Sequence, residues 1–231
     1  MYTSIVRLQN TFGFFTTVAF LIAGLIAATD LLAPRTPSGF LKTTNLQVVK
    51  GRPHYYSTKK EEYASIKFNL EADLSSLFTW NTKQVFVYVT AEWGGDGHDA
   101  TTSAANVTNQ AVIWDSIITA PSSDHLGNYG PATLKKLRKS AAGKSIDASR
   151  GILSLKNQRP KYQITHPSGK IAETNNVRLR LHYNVQPWVG FLTWNQYSRD
   201  FGLWKTLSGG VSASRTLPPV KKADDKKKSA S

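Results

Sequence analysis

From Thr11 to Thr29 the sequence TFGFFTTVAFLIAGLIAAT contains no charged residue, with Arg7 before it and Asp30 after it. A helix rises about 1.5 Å per residue, so this stretch, extended to Leu32 and allowed some tilt, covers a hydrocarbon core of roughly 30 Å. Its polar atoms are threonine hydroxyls, which bond back to the helix backbone and leave little unsatisfied in lipid. A cleavable signal peptide is the competing reading, because Arg7 resembles an n-region and Ala27, Ala28 and Thr29 a cleavage zone. The apolar run is long for the roughly 7 to 15 residues of such a region, so an uncleaved anchor is favoured.

Everything after the anchor has a different period. In ASIKFNL, Ile66, Phe68 and Leu70 fall on one face and Lys67 and Asn69 on the other, the alternation of a half-buried strand. KQVFVYVTAEW places Val85, Val87 and Val89 opposite Phe86, Tyr88 and Thr90, so both faces have packing partners and the strand is read as central. NQAVIWDSII, from Asn109 to Ile118, is a third β-rich run. Val177, Leu179, Leu181, Tyr183 and Val185 alternate with Arg178, Arg180, His182 and Asn184, which predicts a strand whose polar face meets water or a polar partner. Phe40 to Val49 and Lys161 to Thr165 are weaker strand candidates, and Thr133 to Ala142 reads as a short basic helix.

Short strands separated by Gly, Pro and Asn predict an all-β, antiparallel, sandwich-like domain preceded by one transmembrane helix. The expected organisation is an N-terminus at 1–10, a transmembrane helix at 11–32, a β-domain at 33–207 with a basic insert at about 127–150, and a disordered Lys-rich tail at 208–231.

The net charge of +14 raises nucleic acid or an anionic surface as a partner. Much of it lies in the run from Lys135 to Lys161 and in the tail, without a base-reading signature, and solvated loops are the preferred reading; no nucleic-acid partner is expected. With no cysteine, the chain has no disulfide, thiolate metal site or cysteine nucleophile.

The histidines His54, His98, His125, His166 and His182 lack a metal-ligand spacing, and His182 is read as a solvated or interface residue. Gly143-Lys144-Ser145 resembles the end of a phosphate loop, but Arg138 stands where the leading glycine belongs. Glu61 and Glu62 are adjacent, which on a strand points them to opposite faces and spoils them as an acid/base pair. No catalytic residue, metal ligand or cofactor is therefore expected. Trp80, Trp93, Trp114, Trp188, Trp194 and Trp204 are read as core or interface anchors ahead of a stacking platform for ligands, with Trp80 and Trp188 as candidate partner contacts. Asn106-Val107-Thr108 is a glycosylation sequon, with Asn106 the acceptor.

The block KFNLEADLSSLFTWNTKQVFVYVTAEW, followed by NQAVIWDSII, resembles the signal peptidase complex subunit 3 family, a glycoprotein subunit. The similarity rests on the turn Glu71, Ala72, Asp73, Leu74, on the Phe78, Trp80, Asn81 knuckle, and on the hydrophobic strand ending at Ala91 and Glu92. The segment NNVRLRLHYNVQPWVG adds an ending at Asn184, Val185, Pro187 and Gly190 that is similar to the family's last strand. The basic insert and the tail depart from the family's compact form.

That resemblance implies a non-catalytic, single-pass type II subunit of the endoplasmic-reticulum signal peptidase complex, with its C-terminal domain in the lumen. Its partners would be the catalytic signal peptidase subunit and the small membrane subunits of a hetero-oligomer. The reading kept beside it is a membrane-anchored lumenal β-sandwich that binds a ligand, lectin-like or chaperone-like.

Overall fold

The computed structural model describes residues 3–94, 108–120, 150–195 and 202–221. It opens with a single helix, α1 (Ser4–Leu32), long and apolar enough to cross a membrane. None of its most apolar window is buried inside the protein, which separates it from the core helix of a soluble domain. Thr11, Thr16, Thr17 and Thr29 turn their hydroxyls onto backbone carbonyls three or four residues back, as a helix in lipid requires.

The remaining elements are strands: β1 (Ser38–Gly51), β2 (Glu61–Asp73), β3 (Thr82–Gly94), β4 (Thr108–Thr119), β5 (Ile152–Gln158), β6 (Arg178–Pro187), β7 (Thr193–Trp194) and β8 (Ser208–Gly209). They form two four-stranded sheets, ordered β5-β2-β1-β8 and β4-β3-β6-β7. Every pairing is antiparallel except β1 with β8. The sandwich-like all-β domain after one apolar helix is therefore the observed architecture.

Alternation sets the core. Ile66, Phe68 and Leu70 of the first sheet face Val85, Val87, Val89, Leu179, Leu181 and Val185 of the second, and all are buried. Phe68 meets Trp114 edge-on, with ring centroids 6.1 Å apart. β3 lies between β4 and β6, so its central position follows from the two filled faces seen in the sequence. β1 extends further than the weak pattern from Phe40 to Val49 suggested, and β5 had no counterpart among the strand candidates. Lys161 to Thr165 is not a strand: it contributes a single bridge, Ile164 to Ala64.

Two expectations are corrected. The tail expected to be disordered from 208 is ordered as far as Lys221: β8 runs beside Ser38 and Gly39, and Leu217 is buried. Bridges from Val211 to Arg180 and from Arg215 to Val177 tie this segment to β6, and the Lys221 N–H donates to the Val48 carbonyl at 3.0 Å. Its composition is polar, but Leu217 seals the sandwich edge, and backbone bonds need no apolar run. Gly209 and Gly210, both at positive φ, let the strap approach; a methyl group on Gly209 would collide with the Gly39 carbonyl.

The second correction concerns His182, which is buried rather than solvated, because Tyr88 stacks on its ring at 5.0 Å. Asn184 is buried on the same face of β6. The putting of water or a polar partner over this face holds for Arg178 and Arg180, which are exposed.

Candidate membrane-proximal interface

Where α1 ends, a charged pair marks the transition from apolar helix to sheet. Arg35 donates to Asp30 Oδ2 at 2.7 Å and to Thr193 Oγ1 at 2.9 Å, and its guanidinium lies 4.1 Å from the centre of the Trp204 ring. Both charged side chains are almost wholly buried. The backbone joins in, with Arg35 N–H donating to the Leu203 carbonyl and Lys205 N–H to the Arg35 carbonyl. One arginine thus links the helix end, β7 and the strap that follows residue 202. Breaking a buried pair on one side leaves an uncompensated charge and costs about 3–5 kcal/mol, so this joint resists bending. Burial pushes the Tyr183 phenol up, partly offset by the nearby Arg35 guanidinium.

Beside the joint, the turn at Phe78–Thr82 and the segment following β6 are clasped by Asn81. Its Nδ2 donates to the Val189 carbonyl at 2.6 Å, and its Oδ1 accepts from the Val189 N–H at 3.1 Å. The Trp188 N–H donates to the Asn81 carbonyl at 2.8 Å. Asn81 is buried, so its three bonds form away from water. The clasp brings together the two tryptophans singled out in the sequence: Trp80 is 63% exposed and Trp188 39%. Trp93 and Trp114 are in the core instead. Lys83 holds its ammonium 5.3 Å from the Trp188 ring.

Past Trp188 the chain turns at Gly190, whose φ of +137° favours glycine, and comes close enough to α1 that a methyl group on Gly190 would touch Ala27. Phe191 and Leu192 follow and point outward. Sequence reasoning singled out Trp80 and Trp188 as contacts, met Asp30 only as the end of the apolar run and Asn81 only in the knuckle that carries the resemblance, and gave no role to Arg35 or Phe191. A basic residue five positions after the acid that ends the apolar run was the available signal for the pair. Asn106 and most of the basic insert lie outside the described residues, as does the predicted helix from Thr133 to Ala142.

A second polar cluster lies on the outward face of the second sheet. Glu92, Gln110, Arg180, His182 and Asn195 line a cavity of about 220 Å³. Arg180 pairs with Glu92 at 2.9 Å, while His182 Nε2 and Gln110 Nε2 both approach Thr90 Oγ1. Burial lowers the His182 pKa; Glu92 opposes that shift and Arg180 adds to it. Glu62, facing inward at the edge of the first sheet, accepts from the Ile171 and Ala172 N–H groups at 3.0 Å each. The Ala172 bond holds its carboxyl below the usual range against the opposing effect of burial, with further help from Ile171, Lys50 and Lys170. Glu61 bonds to Tyr63 instead, so the two adjacent carboxylates do face apart. Among the described residues, no three His, Asp or Glu side chains are placed to hold a metal ion.

Comparison with known proteins gives a consistent family. A family described as "Signal peptidase subunit" matches residues 1–131 and 145–203. A Saccharomyces cerevisiae protein named signal peptidase complex subunit 3 is 28% identical over 211 residues, covering 88% of this chain and 96% of its own length. Its Debaryomyces hansenii namesake is 29% identical over 205 residues, 85% of this chain and 90% of its own. The Dictyostelium discoideum protein of the same name is 32% identical over 144 residues, 62% of this chain and 63% of its own.

Proposed function

The chain belongs to the signal peptidase subunit family, and from that premise we propose that it is a non-catalytic subunit of the endoplasmic-reticulum complex that removes signal peptides from nascent secretory and membrane proteins. In this reading α1 is an uncleaved type II anchor with residues 1–10 cytosolic and the β-domain lumenal. The partners are the catalytic subunit, which carries the peptidase chemistry, and the small membrane subunits. Asn106 is the proposed glycan acceptor, and Trp80 and Trp188 belong to the surface that seats the domain in the assembly.

The observation that carries this reading is the extent of the family match, which runs through the helix and both sheets. The helix end supports it physically. A subunit that holds another near the membrane needs a fixed angle between anchor and domain, and the buried Asp30–Arg35 pair supplies a stiff joint.

Purification of the tagged chain from its native membranes in mild detergent, with mass spectrometry of its companions, tests the assignment. A signal peptidase catalytic subunit at fixed stoichiometry is expected, together with loss of signal-peptide cleavage when this chain is depleted. A chain that emerges alone, with cleavage intact after depletion, would overturn it. A glycosidase shift abolished by Asn106→Gln checks the acceptor and the lumenal side together.

A further inference from the structure

The turn between β6 and β7 stands at an unusual height for a surface loop. Ala27 precedes Asp30 by almost one helical turn, about 4.5 Å along the axis, so it belongs to the charge-free part of α1. Gly190 lies against Ala27, with an added Cβ there only 3.6 Å from the Ala27 Cβ. The turn is therefore level with the last apolar turn of the helix, below the charged joint at Asp30 and Arg35. At that depth the chain presents Phe191, 75% exposed, and Leu192, 59% exposed.

The side chains bordering this tip change character with height. Trp188 and Trp80 border it, both partly exposed, and the exposed Lys83 holds its ammonium over the Trp188 ring. Aromatic rings with a polar handle, beside a long basic side chain, are the residues that favour the headgroup region, while Phe and Leu favour acyl chains. In water a consecutive Phe-Leu pair at a turn tip is an unfavourable exposure; at the edge of a membrane helix it is a favourable one.

We propose that the turn from Trp188 to Leu192 inserts into the leaflet through which α1 leaves the membrane, with Phe191 and Leu192 among the acyl chains and Trp188 at headgroup level. The domain is then held by two membrane contacts, the helix and the turn, and cannot swivel about the helix axis. The occupant of the tip is phospholipid. The inference rests on α1 spanning the membrane and not on the identity of the peptidase partners.

Because the chain has no cysteine, single-cysteine variants carry a fluorophore to one known place. The full-length chain is reconstituted in phosphatidylcholine vesicles as Phe191→Cys, Leu192→Cys, Leu21→Cys on the helix and Tyr56→Cys on the β1–β2 turn. Each is labelled with an environment-sensitive dye and quenched by lipid carrying a spin label near the top of the acyl chain. Quenching at 191 and 192 several-fold above that at 56, and comparable to that at 21, is expected. Quenching at 191 and 192 no greater than at 56, with 21 still quenched, overturns the insertion while leaving the anchor standing. Loss of quenching at 21 as well removes the spanning helix and the proposal with it. In native complex, a photo-crosslinker at 191 that captures a protein and no lipid also overturns the proposal, assigning the tip to a partner subunit.

Discussion

The two sheets share one core yet turn different faces outward. On the first sheet, β2 presents Glu61, Tyr63, Ser65, Lys67, Asn69 and Glu71 to the outside, with Lys42, Asn45 and Gln47 beside them on β1. On the second, Phe86 and Tyr88 stack at 5.3 Å, Tyr88 stacks on His182, and Trp194 meets Tyr88 edge-on at 6.4 Å. Thr90, His182 and Asn184 are buried beneath that layer although they point away from the core. Val112 and Ile117 continue it as exposed apolar residues on β4. The first sheet thus has one packed face and the second has two. A packed outer face adds stability and stiffens the sheet that carries the membrane-proximal turn.

The largest expected consequence of that difference is at Tyr88. Tyr88→Ala removes the ring that joins Phe86, His182 and Trp194, and should cost about 3 kcal/mol. Lys67→Ala on the opposite sheet should stay within about 0.5 kcal/mol. Denaturant unfolding of the full-length chain in detergent, followed by tryptophan fluorescence, measures both, and equal losses would erase the distinction. Asn81→Ala opens the clasp at the end of the second sheet and should cost about 2 kcal/mol. Thermal melts of that variant should also show an early loss of Trp188 signal if the turn is released before the core. On the first sheet, Glu62→Gln keeps one oxygen that can accept both N–H groups, as Oε2 does, but loses the charge, for about 1 kcal/mol in the same assay.

The smallest effect separates the sheets by pH. His182 has a lowered pKa in the fold, so below the usual histidine value of about 6.5 the unfolded chain binds more protons than the native one. Stability contributed by neutral His182 is present above that value and is lost as pH falls toward the lowered native one. Glu62, also lowered, contributes stability present above about 4.3 and lost only under more acidic conditions. Unfolding midpoints taken between pH 7.5 and pH 4 should therefore soften at the second sheet first, and His182→Gln should flatten the upper part of that curve alone.

Much of this fold could be read from the chain because alternation and burial coincide in β2, β3 and β6. Ile66, Phe68 and Leu70, or Val85, Val87 and Val89, leave no choice of which face turns inward. Legibility failed where burial comes from neighbours in space. His182 looked polar and solvent-facing because its cover, Tyr88, is almost a hundred residues away in sequence. β5 has too few inward apolar residues to announce itself, and the strap after residue 202 is held by backbone bonds, the buried Leu217 and scattered side-chain contacts such as Ser212 and Trp204, which composition does not register. At the interface, two tryptophans were visible by residue type alone, whereas the arginine that organises the joint became recognisable only when Asp30, Thr193 and Trp204 were found around it.

The strap also sets a schedule. Chain emerges from a ribosome N-terminus first, so α1 and β1 are made while the strap is still unmade. β1 then waits with one edge unpaired until Ser208 and Gly209 arrive beside Ser38 and Gly39, and Val48 waits for Lys221. Contacts this distant in sequence close late, and an open strand edge invites wrong partners in the interval. Completion of the sandwich thereby waits for the strap, and a product cut short before it leaves the apolar helix attached to an unfinished sheet with an open edge.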